Sequence, residues 1–309
     1  MEKFTVQQFN EQFPDEDNCL NQIRDMVWPN GIICRKCQEV TKHYRIKGRK
    51  AYSCQDCGTQ IYPLAGTIFE KSSTPLKSWF YAIYLMASTR TGISAKQLER
   101  ELGVTYKTAW RMFKQIRSIL AEDVSLEGLL VEVDETFVGG KAKNMHKVRR
   151  ERLGGRGTAG KQPVFGMVER DGKVITKVVP DVSRDSLLPN IREKILPSSL
   201  VYSDEHSSYE PLKAMGYQHR RVHHGAKVYV IGDIHTNTIE GFWSLVKRGI
   251  SGVNHAVGVG HLQGYFDSYA FRWNHRNDET PMYESMANRV NKVRYGKYGT
   301  YNPIGESVQ

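Results

Sequence analysis

Three carboxylates and four cysteines are the residues of this chain whose types and spacing can do chemistry. Asp134 closes a short apolar run, LLVEV. Asp204 follows another, SSLVYS, and Glu240 falls near the start of the helical segment TIEGFWSLVKRGI. Residues at strand ends and at a helix start can converge on one edge of a sheet. Three convergent carboxylates bind hard divalent cations, most naturally Mg²⁺ with waters and phosphate oxygens. Two such ions about 3.5–4 Å apart activate a nucleophile and stabilise a leaving oxygen in an in-line phosphoryl displacement. Each acid also has a plainer role open to it. Asp134 would be a turn former, Asp204 a cap for HSSYEPLKAM, and Glu240 the partner of Asn237 in a capping box. The helix tips the balance. Ile239, Phe242, Trp243, Val246 and Ile250 form an apolar stripe at helical spacing, and Glu240, Ser244 and Lys247 line a different, polar face. A carboxylate and a lysine two turns apart would serve metal and phosphate together; a solvated lysine is the plainer reading of Lys247.

The cysteines read Cys34-x-x-Cys37, sixteen residues, then Cys54-x-x-Cys57. Each Cys-x-x-Cys knuckle brings two sulfurs to one ion, and two knuckles complete the tetrahedron that Zn²⁺ prefers. Redox chemistry usually needs one such pair at a helix start, not two separated by a hairpin. The spacing therefore predicts a structural zinc that helps fold a module with little core of its own. Cys19 is left over as a buried or free thiol. Five cysteines are too few for a disulfide scaffold of this size, which suits a reducing compartment.

Elements must hold these groups in place. Trp79 to Met86 is almost wholly apolar and predicts a buried helix. ISAKQLERELGV and TYKTAWRMFKQIR are amphipathic segments punctuated by Gly103, the form of a helix-turn-helix. Ile93, Leu98 and Leu102 would pack inside. The second helix would begin near Thr105 and turn Tyr106, Lys107, Thr108 and Arg111 outward, where a recognition helix meets base edges. An ordinary helical hairpin with a solvated basic face is the alternative. After residue 129 the pattern changes to strands. VFGMVE and KVITKVV flank Arg170-Asp171-Gly172 as a hairpin. SRDSLLPNIREKIL reads as a helix with Pro189 as an irregularity. The order fits an α/β layer fold with a mixed sheet.

The bulk numbers allow this. The 309 residues hold about two domains and a small module. With 39% hydrophobic residues the chain buries a core and is not disordered. Lys plus Arg is 44 against 33 Asp plus Glu, a net charge of +11, which leans toward nucleic acid before an anionic membrane. No apolar run reaches about 18 residues, so no membrane span is expected. MEKFTVQQFNEQFPDEDN lacks the apolar core of a secretory signal, so a cytoplasmic location is expected.

Several stretches together resemble the DDE transposases of bacterial insertion sequences, in the group with an N-terminal zinc ribbon related to the Merlin transposons. They are WPNGIICRKC, AYSCQDCGTQ, AGTIFEKSSTPLKSWFYAIYLM, QLERELGVTYKTAWRMFKQIR, VEVDETFVGGK, VYSDEHSSY, HTNTIEGFWSLVKRGISG and FDSYAFRWNHR. The resemblance implies an RNase H-like catalytic core carrying Asp134, Asp204 and Glu240 as Mg²⁺ ligands, with two ions and Mn²⁺ as a substitute. Asn237 in the same motif is a competing third position, and Lys247 is the motif's downstream lysine. It implies hydrolysis at transposon ends to free a 3′-OH, then strand transfer into target DNA. The partners would be double-stranded DNA, as terminal inverted repeats and target, and other copies of the chain in a homo-oligomer associated with the bacterial nucleoid. The expected layout is a zinc ribbon over 1–72, a helix-turn-helix over 73–124, the catalytic domain over 125–280 and a basic tail over 281–309. The basic stretch KAKNMHKVRRERLGGRGTAGKQ, with Arg149 and Arg150, would clamp DNA backbone. Two alternatives stand beside this reading: a DNA-binding regulator that has lost catalysis, and a nuclease that does not integrate.

Overall fold

The computed structural model describes residues 4–140, 146–148, 151, 157–222 and 235–290, with the backbone of 293–295 and 301–303. The chain divides into two units: Met1–Leu120 together with Asn277–Gln309, and Ala121–Arg276.

In the first unit, α1 (Val6–Gln12) begins with a capping box on Thr5 and Gln8, and α2 (Glu16–Val27) is capped by Asp15. The cysteine module follows as β1 (Ile32–Ile33) paired with β2 (Val40–Thr41). Beside it lies a three-stranded antiparallel sheet of β3 (His43–Arg45), β4 (Tyr52–Cys54) and β5 (Gln60–Ile61). Then comes α3 (Leu76–Ser88), whose Leu76, Trp79, Phe80, Ala82, Ile83 and Met86 are buried. Pro75 offers this helix no side-chain cap. Glu16 supplies one from α2, its carboxylate oxygens accepting from the Leu76 amide at 2.8 and 2.9 Å.

A turn joins α4 (Ala95–Leu102) to α5 (Tyr106–Ser118). Gly103 stops α4 in the left-handed conformation (φ 62°), where a residue without Cβ is favoured. Thr105 then caps α5 through the Thr108 amide. Ile93 and Leu98 are buried and Leu102 is half-buried.

The second unit is a five-stranded mixed sheet in the order β10-β9-β6-β7-β8. These are β6 (Leu130–Val138), β7 (Gln162–Glu169), β8 (Val174–Val178), β9 (Leu200–Ser203) and β10 (Gln218–Arg221). The β6–β7–β8 meander is antiparallel, whereas β9 and β10 run parallel to β6. The turn between β7 and β8 is the expected hairpin, with Asp171 at φ 58°. Helix α6 (Arg184–Lys194) covers one face, where Val131, Val133, Phe165, Leu187, Ile191 and Tyr209 share a core. Helices α7 (Asn237–Gly249) and α8 (Leu262–Asn274) cover the other with Ile239, Phe242, Trp243, Val246 and Phe266. A sheet buried on both faces explains why VFGMV reads as a continuous apolar run.

Two expectations change. The first core strand does not stop at Asp134. It continues through Glu135, Thr136, Phe137 and Val138, each paired with β7. What ends near Asp134 is the pairing with β9, whose last partners are Glu132 and Tyr202. The segment after 280, expected as a basic tail, carries α9 (Met282–Ala287). There Tyr283 is buried and stacks on Phe4, with Phe9, Phe13 and Tyr84 edge-on around it. Cys19 is fully buried, and burial pushes its thiol up to about 12.

Candidate active site and metal centres

The four module cysteines meet as their spacing requires. Cys34 follows β1 and Cys54 ends β4, and each starts a turn of the same form. The Gln38 amide donates to the Cys34 carbonyl at 2.8 Å, and the Gly58 amide to the Cys54 carbonyl at 3.1 Å. The residue after each second cysteine, Gln38 (φ 62°) and Gly58 (φ 73°), is left-handed to close that turn. The sulfurs of Cys34 and Cys57 lie 3.5 Å apart, and those of Cys37 and Cys54 3.9 Å. A tetrahedron with Zn–S bonds of about 2.3 Å has edges of about 3.8 Å. These separations fit that ion and are far too long for a disulfide. The Thr59 hydroxyl and amide hold the Cys57 thiol down at about 6, a value that favours thiolate at neutral pH.

The acids gather in the second unit. Glu132↔Tyr202 is the last β6–β9 pair, so Asp134 and Asp204 stand two residues further along parallel neighbours. Carboxylate oxygens of Asp134, Glu135 and Asp204 all lie within 4.8 Å of one another. Asp134 belongs to the strand row that faces α7, and the Trp243 indole donates to its Oδ2 at 2.9 Å. Glu135 is on the opposite row and accepts from the buried Tyr209 hydroxyl. Asp204 leaves β9 and its Oδ1 accepts from the His206 amide at 2.9 Å. The short 3₁₀ helix beyond (Ser207–Leu212) is capped by His206, not by Asp204.

This crowding of acids is visible in their proton affinities. Burial pushes the Asp134 carboxyl up to about 6, and nearby Asp204 and Glu240 add to that; the Glu135 amide and the Trp243 indole oppose it. Burial likewise pushes Glu135 up to about 7, opposed by the Tyr209 hydrogen bond. Buried carboxylates this close cannot all stay charged without a cation.

Glu240 lies outside the tight three-acid group. It lines one groove with Asp134, Glu135, Trp243, Ser244, Lys247, Arg248 and Ser251. Its Oε1 accepts from the Thr236 hydroxyl at 3.1 Å. Asn237 opens α7 and is exposed, and it does not line this groove. The capping box between Asn237 and Glu240 does not form. The helix amides are met instead by Glu132, whose Oε2 accepts from Thr238 N at 2.9 Å and Ile239 N at 3.0 Å.

Of the residues expected to meet DNA, Tyr106 and Lys107 are exposed, and Lys96 lies over the Tyr106 ring. Thr108 is half-buried and its amide and hydroxyl meet Thr105 Oγ1. Arg111 is exposed but donates through Nη2 to the Glu70 carbonyl at 3.0 Å. Arg149 and Arg150 lie outside the described residues.

Three further residues shape the site. Glu135 sits beside Asp134, and the acidic doublet on an apolar strand was its signal. Glu132 is a carboxylate inside LLVEV, and a buried acid demands partners. Trp243 stands in the apolar stripe of its helix, and its signal is that a buried indole N–H needs an acceptor.

The two units thus carry a four-cysteine cluster of zinc-site form and a mixed sheet with clustered carboxylates. Comparison with known proteins gives the family. Residues 125–274 match the ISXO2-like transposase domain, and residues 14–60 match the transposase zinc-ribbon domain. A protein of transposable element ISH50 from Halobacterium salinarum is 31% identical over 274 residues, covering 84% of this chain and 91% of that one. A transposase-like protein from Haemophilus influenzae is 35% identical over 102 residues, 33% of this chain and 81% of its own. A chain in the structure of a simian T-cell lymphotropic virus intasome bound to a PP2A regulatory subunit aligns over 62% of this chain and 70% of its own. Its 13% identity and TM-score of 0.29 are too low to bear on the fold. The chain belongs to the insertion-sequence transposases of the ISXO2-like group, with a zinc ribbon at its N-terminal side. Among the described residues no helix is long and apolar enough to cross a membrane.

Proposed function

We propose that this transposase cuts phosphodiester bonds at the ends of its insertion sequence and joins the freed 3′-OH ends to target DNA. The proposed centre is of the DDE type, magnesium-dependent, in an RNase H-like core. One observation carries the reading: carboxylate oxygens of Asp134, Glu135 and Asp204 gather within 4.8 Å, beside a groove that Glu240 and Lys247 also line. Hard oxygen donors at that spacing suit Mg²⁺, with Mn²⁺ as a substitute. A bound ion pair supplies a nucleophile at neutral pH and neutralises a leaving oxygen. The chain's own residues do the rest. Asp134 and Asp204 would hold the ions, and Glu240 on α7 is the third DDE position. Glu135, held by Tyr209, adds a fourth carboxyl to the centre. Lys247 and Arg248 attract the phosphates of the strand being cut. Asn237 is the less suited third ligand, because an amide binds Mg²⁺ more weakly than a carboxylate.

In the same reading α4 and α5 form a helix-turn-helix, with Tyr106 and Lys107 at the exposed start of the recognition helix. Together with the zinc ribbon it recognises terminal inverted repeats. Two ends are handled together, so the working form is a homo-oligomer on DNA.

The test uses the full chain, Mg²⁺ and duplex DNA carrying the sequences that flank its reading frame. The expected result is nicking at the element's ends and joined product. DNA binding without Mg²⁺-dependent cutting would make the chain a regulator. Cutting without joining of a supplied pre-cut 3′-OH end would make it a nuclease.

A further inference from the structure

Glu132 has no part in the DDE reading, yet both of its carboxylate oxygens are engaged beside the site. It is fully buried, two residues before Asp134 and on the same row of β6. Its Oε1 accepts from Arg170 Nε at 2.9 Å and from the Thr238 hydroxyl at 3.0 Å. Its Oε2 accepts from the Thr238 and Ile239 amides at 2.9 and 3.0 Å. Arg170 in turn donates through Nη2 to the His235 carbonyl at 2.9 Å and lies over the Tyr202 ring. The carboxylate thus fills its lone pairs with donors from the first turn of α7 and from the arginine after β7. Burying such a group is costly unless every oxygen is met, and here both are.

The geometry ties β6 to α7 at two levels. Glu132 holds the first-turn amides at 238 and 239, and Asp134 holds Trp243 one turn further on. Glu240 lies between those two ties, and Lys247 projects one turn beyond the second. An axial slide of the helix by one residue moves each side chain about 1.5 Å. That is enough to take a carboxylate out of a metal's reach.

We infer that Glu132 is a positioning residue: it fixes the register of α7 on β6 and so brings Glu240 to the ions held by Asp134 and Asp204. The inference rests on the DDE reading above. It also explains why this helix needs no side-chain cap of its own: Glu132 satisfies its first amides and places negative charge at its positive end.

The test is Mn²⁺ affinity of the full, zinc-loaded chain, read by electron paramagnetic resonance without DNA. Glu132→Gln retains size but turns an NH₂ group toward donors whichever way the amide lies. It is expected to weaken Mn²⁺ binding about tenfold, the range seen when partners behind metal ligands are removed. Thr238→Val removes one donor and keeps the helix; it should weaken binding about threefold and covers the case in which Glu132→Gln does not fold. Leu187→Ala destabilises the opposite core and serves as a control of matched thermal stability. It should leave Mn²⁺ affinity unchanged. Wild-type affinity in both Glu132→Gln and Thr238→Val, or an equal loss in Leu187→Ala, would overturn the assignment. Undiminished binding in Asp134→Asn would remove the metal centre itself, a different failure, and the assignment with it.

Discussion

Trp243 occupies the space where a side chain on Gly166 would have to lie. Gly166 pairs with Asp134 across β6 and β7. A Cβ there would run into the indole and come within 2.9 Å of Ile239. The missing side chain leaves room for the indole against β7, from where its N–H reaches Asp134. Gly166→Ala is therefore expected to destabilise the second unit by about 1–3 kcal/mol, as overpacking does. It should also lower cleavage more than DNA binding. Thermal melting and a gel-shift titration check the two parts, and an unchanged melting temperature would mean that Trp243 moves aside freely.

Trp243→Phe keeps an aromatic ring in the core and deletes the hydrogen bond to Asp134. That bond opposes the upward push of burial on the carboxyl. Without it Asp134 should hold its proton to still higher pH, so Mn²⁺ binding should need a more alkaline solution. A pH series of Mn²⁺ titrations measures this, and a midpoint moving downward contradicts it.

The acidic cluster sets a pH dependence of stability when no divalent cation is bound. Asp134 is raised from 3.8 to about 6 and Glu135 from 4.5 to about 7. Acids raised in the folded state stabilise it while protonated, and that contribution is lost as pH rises through about 6 to 7. In Mg²⁺-free buffer the second unit should melt lower at pH 8 than at pH 5.5. Added Mg²⁺ should raise the melting temperature at pH 8 and do little at pH 5. Equal effects of Mg²⁺ at both values would argue against these carboxylates as its site.

His219 works in the opposite sense. It is buried against the Ser203 hydroxyl, 2.8 Å from Nε2, and burial pulls it from 6.5 down to about 4, with Arg221 and Lys213 adding to that. A base lowered in the folded state binds its proton more readily when unfolded. Stability is thus complete above pH 6.5 and lost as pH falls toward 4, by up to about 3 kcal/mol. His219→Asn should flatten this limb of the denaturation profile. A wild-type slope in the variant would assign the acid sensitivity elsewhere.

Cys54→Ser removes one of four sulfurs. Zinc bound to the purified chain should fall close to nothing, and affinity for duplex DNA should weaken. The second unit, with no cysteine of its own, should keep its melting transition. Unaltered zinc content, measured by a colorimetric chelator, would contradict the ribbon.

Much of this was legible in the residues. The two Cys-x-x-Cys knuckles named their own ligand set, because a metal site needs specific atom types at short spacing. The apolar stripe of α7 and the turn at Gly103 were equally plain, since helical period and left-handed glycine are local signals. The extent of β6 was not, because the polar residues Glu135 and Thr136 broke the apolar pattern while pairing with β7 carried the strand on. Asn237 and Glu240 offer a local cap for α7, but the true acceptor lies 106 residues earlier, a separation that no local pattern encodes. For the same reason Glu16 as the cap of α3, 60 residues away, left no trace in the text of the chain.

Asp134 lies in β6 and Asp204 just past the end of β9, each two residues beyond the last parallel pair, Glu132 and Tyr202. Their approach is set up by the spacing of paired strands, about 4.8 Å, at that last pair and not by their separation in sequence. Length changes between β6 and β9 belong in the surface turns, because that connection also carries β7 and α6, whose Gly166, Leu187 and Ile191 pack against the site and the core. A single residue gained or lost inside β9 would instead turn the aspartate to the opposite side of the sheet.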